Sequence, residues 1–214
     1  MRPFVRTIET LELDGGSLCL NFVNSVRNRF EDPLFEFIVT PEDLILWGSR
    51  TQIFEKNYKG GLENYILKNQ EKAKHDLKKI LKTRELLYRI FRKLSQKETP
   101  EDKDILLFNK ELSLVLRHLS LEITDSLEIK MIWDNQPSGL LWTLFPIIKS
   151  AFDLLISDLR NRIKECPQCG WLYLDNSKNN SRLWCNMKTC GNTIKIKRYY
   201  EKKKTRAGRQ HKIQ

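Results

Sequence analysis

Helical and strand periods alternate along the 214-residue chain. Ala73, Leu77, Ile80, Leu81, Leu87, Phe91 and Leu94 fall at helical spacing in a Lys-rich stretch. This predicts an amphipathic helix with its apolar stripe on the core. Ile105, Phe108, Leu112 and Leu116 share one face of a second helix, and Ile147, Leu154, Leu155, Leu159 and Ile163 mark a third, from Pro146 to about Lys164. Residues 121–133 alternate in two pieces around Asp125-Ser126, the pattern of a β-hairpin or two short strands. The opening segment turns at Gly15-Gly16 into an apolar run that fits a short strand or hairpin leading into a helix, and periodicity does not separate these.

Two helix starts carry the same local grammar. Thr40-Pro41-Glu42-Asp43 offers an N-cap hydroxyl, a proline at the first helical position and two carboxylates at the positive end of the helix dipole. Thr99-Pro100-Glu101-Asp102 repeats it. Nothing around the two tetrads matches, so they are not an internal repeat.

Composition adds little until the chain is divided. Hydrophobic residues make up 40%, enough for a packed core. The longest apolar stretch, near Leu140 to Ile148, is about half the ~20 residues of a bilayer span. The N-terminus has no apolar signal core, so a soluble cytoplasmic protein is expected. Residues 1–160 contain 24 Lys/Arg and 24 Asp/Glu, whereas 161–214 contain 14 Lys/Arg against Glu165, Asp175 and Glu201. The whole net charge of +11 therefore sits in the last quarter of the chain, and polyanions are the expected partners.

The cysteines share this asymmetry. Cys19 stands alone in an apolar stretch and reads as a buried small hydrophobe. Cys166, Cys169, Cys185 and Cys190 follow the spacing C-x₂-C-x₁₅-C-x₄-C. Zinc takes four soft ligands in a tetrahedron, and C-x₂-C lets one tight turn present two sulfurs ~3.7 Å apart to one ion. Four thiolates close the shell and leave no position for a catalytic water, so one structural Zn²⁺ is expected. W-L-Y-L-D and S-R-L-W-C read as two strands joined by the polar turn Asn176 to Asn180. A helix from about Asn192 to Lys204 follows, giving a treble-clef-like knuckle, hairpin and helix. Trp171 and Trp184 are expected to cover the zinc site.

The predicted class is α+β. Residues 1–160 form a mainly helical domain with a small antiparallel β element, 161–204 a four-cysteine zinc finger, and 205–214 a basic tail without fixed structure. The helix at 146–164 enters the finger with no Gly/Ser linker, so the finger should be docked on the body. Among the three scattered histidines there is no Ser/His/Asp grouping, and no phosphate-binding glycine loop is visible, so an enzyme is not expected.

Nine cations lie between Lys195 and Lys212. Lys195, Lys197, Arg198, Lys202, Lys203, Lys204 and Arg206 are candidate phosphate contacts, with Lys178 and Arg182 extending the patch from the hairpin. For Arg182 an equally good alternative is a structural salt bridge with Asp175. An acidic protein partner is the alternative to nucleic acid for the whole face.

The stretch C-P-Q-C-G-W-L-Y-L-D-N-S-K-N-N-S-R-L-W-C-N-M-K-T-C-G-N-T-I-K resembles the CGNR zinc finger, through Asp175, Arg182, Trp184, Met187, Gly191, Asn192 and Lys195. Leu20-Asn21-Phe22-Val23-Asn24 and T-P-E-D-L-x-x-W at 40–47 are similar to the larger ABATE domain that precedes this finger in bacterial proteins. The resemblance implies a transcription regulator, with DNA expected ahead of RNA. A homodimer or a small-molecule effector would then be a matter for the body. Thr193 stands where the family's naming motif has Arg, which removes one cation from the expected face.

Overall fold

The computed structural model describes residues 7–53, 56–133, 139–196 and 199–201, with the side chains of 56–58 excepted. A short 3₁₀ turn (Ile8–Thr10) leads to α1 (Leu18–Val23), α2 (Pro41–Arg50), α3 (Lys56–Lys68), α4 (Gln70–Ser95) and α5 (Asp102–Leu116). The hairpin β1 (Leu119–Ile123) and β2 (Ile129–Trp133), then α6 (Leu144–Ile156), complete the body. The finger opens with β3 (Ile163–Glu165) and β4 (Leu172–Leu174). The predicted α+β class holds: a helical body with a small antiparallel element, followed by a cysteine module.

The long helix α4 is the axis of the molecule. Its stripe of Ala73, Leu77, Ile80, Leu87, Ile90 and Phe91 is buried. The other five helices surround it directly or through a neighbour: α1, α2, α3 and α5 touch it, and α6 bridges α1 and α5. Burial of each large aliphatic or aromatic side chain contributes roughly 1.5–3 kcal/mol. The C-terminal half of α4 also receives β3 and β4, so body and finger share one hydrophobic core that runs from Ile8 to Cys185.

Charge is buried in that core where it fastens a loop. Arg84 on α4 is 2% exposed and forks onto Glu36 at 2.6 and 2.7 Å, with further bonds to Glu85 and Ser25. Arg29 donates to Glu85 at 2.6 Å and to the Val23 carbonyl, and lies over the Tyr88 ring. The segment between α1 and α2, closed by a bridge between Val26 and Glu36, is thereby held against α4. This segment is the platform on which the finger sits.

The two matched helix starts behave differently. At α2 the Thr40 hydroxyl accepts from the Asp43 amide at 3.2 Å, and Asp43 accepts from the Thr40 amide at 2.8 Å, a closed capping box. At α5 the helix begins two residues later than the grammar implies, at Asp102, and Thr99 makes no cap. A tertiary bond fixes that first turn instead: buried Asp104 takes the fork of Arg89 from α4 at 2.7 and 2.9 Å. The predicted helix from Pro146 to Lys164 is also shorter. It ends at Ile156, Ser157 turns extended, and a 3₁₀ turn (Asp158–Arg162) carries the chain into β3, because Ile163 is needed as the strand partner of Leu174. The opening segment resolves as a 3₁₀ turn and then helix, with Ser17 capping α1. Helix α3 went unpredicted: Leu62 and Ile66 carry its buried face, and Gly60-Gly61 disrupts the pattern that would have revealed it.

These caps separate cleanly in a stability test. Thr40→Ala should lower the unfolding free energy by about 1 kcal/mol, whereas Thr99→Ala should change it by no more than ~0.3 kcal/mol. Urea unfolding of both variants measures the difference.

Candidate metal centre

The knuckle is the turn of a hairpin. β3 and β4 pair antiparallel, Ile163 with Leu174 and Glu165 with Leu172. Between them the Gly170 amide donates to the Cys166 carbonyl and the Cys166 amide to the Trp171 carbonyl, both at 2.8 Å. Gly170 has φ +70, and a Cβ there would lie 2.6 Å from the Arg29 Cβ. Only glycine fits both the left-handed turn and the close approach to the body. The predicted hairpin placed the partner of W-L-Y-L-D downstream, at S-R-L-W-C. The partner is instead β3, upstream of the knuckle, and residues 181–185 are irregular.

Of the second cysteine pair, Cys185 ends the irregular segment and Cys190 lies in a wide helical turn, Met187–Gly191, whose backbone continues as helix through 192–196. The Asn186 side chain starts this turn by accepting from the amides of Lys188 and Thr189, and its amide group donates to Asp14 of the body at 2.8 Å. The four Sγ atoms of Cys166, Cys169, Cys185 and Cys190 lie within 4.8 Å of one another. Cys169 and Cys185 are 3.5 Å apart, and Cys185 and Cys190 3.7 Å, close to the edge of a tetrahedron around zinc. Three of the four are buried and Cys190 is partly exposed. The donor set, its spacing and its burial all fit one zinc ion held in a closed structural site.

Without a cation, such a cluster has to share its protons. Hydrogen bonds from Cys169, Cys185 and Cys190 hold the Cys166 thiol far below its ordinary value. Their counterpart, the bond to Cys166, pushes the Cys169 and Cys185 thiols up, with burial adding to it. A divalent ion removes this conflict by stabilising all four thiolates together. Cys19, the fifth cysteine, is fully buried in the body, its thiol pushed up by burial, and takes no part.

An internal brace closes the loop between the cysteine pairs. Buried Asp175 accepts from the Lys164 ammonium at 2.6 Å, the Ser177 hydroxyl and amide, and the Arg182 amide at 2.8 Å. Burial opposes its ionisation, and these donors outweigh burial, holding the carboxyl well below the usual carboxylate range. The Arg182 guanidinium donates to the carbonyls of Trp184, Cys185 and Leu174 and lies over the Tyr173 ring at 4.6 Å. The expected salt bridge between Arg182 and Asp175 does not form: Lys164 takes the ion pair with Asp175, and the Arg182 fork is held by the finger's own carbonyls.

The finger is fastened to the platform by groups that pattern reading missed. Buried Asn24 mimics a strand, accepting from the Leu172 amide at 3.0 Å and donating to the Leu172 carbonyl at 2.8 Å. The Arg29 amide donates to the Cys169 carbonyl at 2.8 Å, the Trp171 indole to the Val26 carbonyl at 2.7 Å, and the Leu174 amide to the Gly15 carbonyl at 2.9 Å. Glu165 accepts from Tyr88 and Arg92 on α4 and from Gln96 just past its end, and burial together with this carboxylate pushes the Tyr88 hydroxyl up to about 12. Asn24 was visible as the last residue of the quoted L-N-F-V-N stretch, but a polar residue at the end of an apolar run does not announce its partner.

Comparison with known families places both parts of the chain. Residues 16–158 match the ABATE family, described as a putative stress-induced transcription regulator, and residues 162–203 match the CGNR zinc finger. The chain belongs to the ABATE family. It carries that family's body over two thirds of its length, with a CGNR finger behind it. No curated protein matches it.

In this ABATE–CGNR chain the candidate phosphate contacts other than Arg182 divide into two groups. Lys178 and Lys195 are exposed on the finger. Lys188, also exposed on the turn that carries Cys190, belongs with them although it was not foreseen. Lys197, Arg198, Lys202, Lys203, Lys204 and Arg206, and the tail 205–214, lie outside the described residues. Thr193, at the position of the motif's Arg, donates its hydroxyl back to the Thr189 carbonyl at 2.9 Å.

Two substitutions test the site. Gly170→Ala should lower stability by roughly 2–3 kcal/mol and weaken zinc retention against a chromophoric chelator, through left-handed strain and contact with Arg29. Asp175→Asn should cost about 2–3 kcal/mol at pH 7, because it leaves Lys164 and the Ser177 and Arg182 donors facing a neutral amide. The folded pKa of Asp175 is depressed, so its contribution is present above the unfolded carboxylate value of ~3.9 and is lost as pH falls through the folded value. Denaturation curves of wild type and Asp175→Asn should therefore begin to approach one another below about pH 4 and meet only below the folded value.

Proposed function

We propose that this chain is a zinc-dependent nucleic-acid-binding regulator rather than an enzyme, with the finger and the basic segment behind it meeting phosphates. The observation that carries the reading is the charge asymmetry: a body of zero net charge and a zinc-stapled end that holds all of the +11. Four thiolates with one Zn²⁺ bring the end to about +9, still far from neutral. The cations of 178–206, without Arg182, are the contacts we assign. They neutralise phosphate and supply affinity with little base information.

The family description favours DNA over RNA as the acid and a cytoplasmic place of action. Among the described residues no helix is long and apolar enough to cross a membrane. An effector, in this reading, enters the groove of about 670 Å³ at the joint between body and finger. Arg27, Phe35 and Phe37 of the platform line it together with Trp171, Cys169 and Cys190. A molecule bound there touches both parts, so it can couple a signal to the pose of the finger.

The test is binding of the zinc-loaded full-length protein to random duplex DNA and to single-stranded RNA across a salt series. We expect a steep decline of log K with log salt. The Lys202→Gln, Lys203→Gln, Lys204→Gln triple variant should flatten that slope by up to ~3 units on every sequence. Absence of binding at low salt would overturn the reading and point to an acidic protein partner.

A further inference from the structure

The β1–β2 hairpin has one face with no polar position. Its cross-strand pairs are Leu119 with Trp133, Leu121 with Met131 and Ile123 with Ile129, and opposite residues of an antiparallel pair share a face. At the base this face is anchored: Trp133 packs on Phe145 of α6 at 5.6 Å, beside the His118–Phe145 stack. Beyond the base it leaves the body. Leu121, Ile123 and Ile129 are 69%, 65% and 68% exposed, Met131 is half exposed, and Leu127 at the tip is 82% exposed. Among the described residues the sheet has two strands and no third on either edge. A two-stranded hairpin is marginal in water without a covering layer, and a contiguous aliphatic face on the order of 500 Å² marks an interaction surface.

We infer that this face is covered by the same face of a second copy of the chain, in a two-fold dimer whose hairpins pack face to face. Three features of the surface select this occupant. The face offers only aliphatic and thioether groups, which suit an identical surface and give a polar ligand nothing to bond. Residues 119–133 carry Glu122, Asp125 and Glu128 against Lys130, a net of −2 that repels phosphates and anionic bilayers. Two such faces bury on the order of 1,000 Å², the lower end of specific interfaces. Dimerisation through the neutral body also leaves each basic end free to meet its own stretch of polyanion, and that consequence rests on the proposed function.

Sedimentation equilibrium of the zinc-loaded full-length chain from about 1 to 100 μM tests the dimer directly. The expected mass is twice 25.4 kDa at the upper concentrations. Leu121→Glu with Ile129→Glu should shift the protein to monomer, with at least ~100-fold weaker association, since it sets four carboxylates against one another. Both side chains project into solvent, so circular dichroism and zinc content should match wild type. Met131→Gln, a milder change, should weaken association in the same direction. Leu106→Glu, at an exposed position on α5, should leave the dimer intact. A wild-type monomer at about 100 μM would overturn the inference, as would a dimer that persists in the double variant. Because the readout is mass, failure of nucleic-acid binding leaves this result standing.

Discussion

Four sulfurs within 4.8 Å of one another, three of them buried, cannot all ionise unless a divalent cation sits among them. The rest of the finger depends on this constraint. β3 and β4 are three residues each, too short to hold a fold by themselves, and the wide turn at Met187–Gly191 is anchored chiefly by one asparagine side chain. A zinc ion held by Cys166 and Cys169 of the hairpin turn, Cys185 and Cys190 would tie these pieces together. The Asp175–Lys164 pair and the Arg182 fork then close the loop between them, with each donor bonded inside the finger.

The same knuckle is also part of the body. Asn24 completes the edge of Leu172 as a strand would, the Arg29 amide bonds the carbonyl of a zinc ligand, and the Trp171 indole reaches Val26. That platform is in turn held to α4 by the buried guanidinium groups of Arg29 and Arg84. Metal, knuckle, platform and central helix form one chain of contacts, and the groove beside Cys190 lies on it. These contacts fix the knuckle in orientation relative to the body.

Ligand identity was legible from the sequence because zinc chemistry is local: C-x₂-C spacing and a second pair determine it without tertiary information. The stripe of α4 and the capped start of α2 were legible for the same reason. What failed was long-range. The partner of Leu172–Leu174 lay upstream, and nothing in the pattern of Ile163–Glu165 separates a three-residue strand from the end of a helix. The start of α5 moved because Asp104 bonds Arg89 across a helix pair, outweighing a local cap at Thr99. Arg182 looked like a surface cation, and its guanidinium is folded onto carbonyls that become neighbours only once the loop closes. Asn24 and Asn186, both polar and unremarked by periodicity, proved to be the joints between body and finger.

The central claim is that zinc orders the knuckle and, through it, the platform of the body. Hydrogen–deuterium exchange on the full-length protein, with zinc bound and after chelation, measures this at the Arg29 amide and its neighbours 24–29 as well as at 166–190. The account predicts that chelation exposes both segments together while the central stretch of α4 stays protected. Loss of protection confined to 166–190, with 24–29 unchanged, would contradict it.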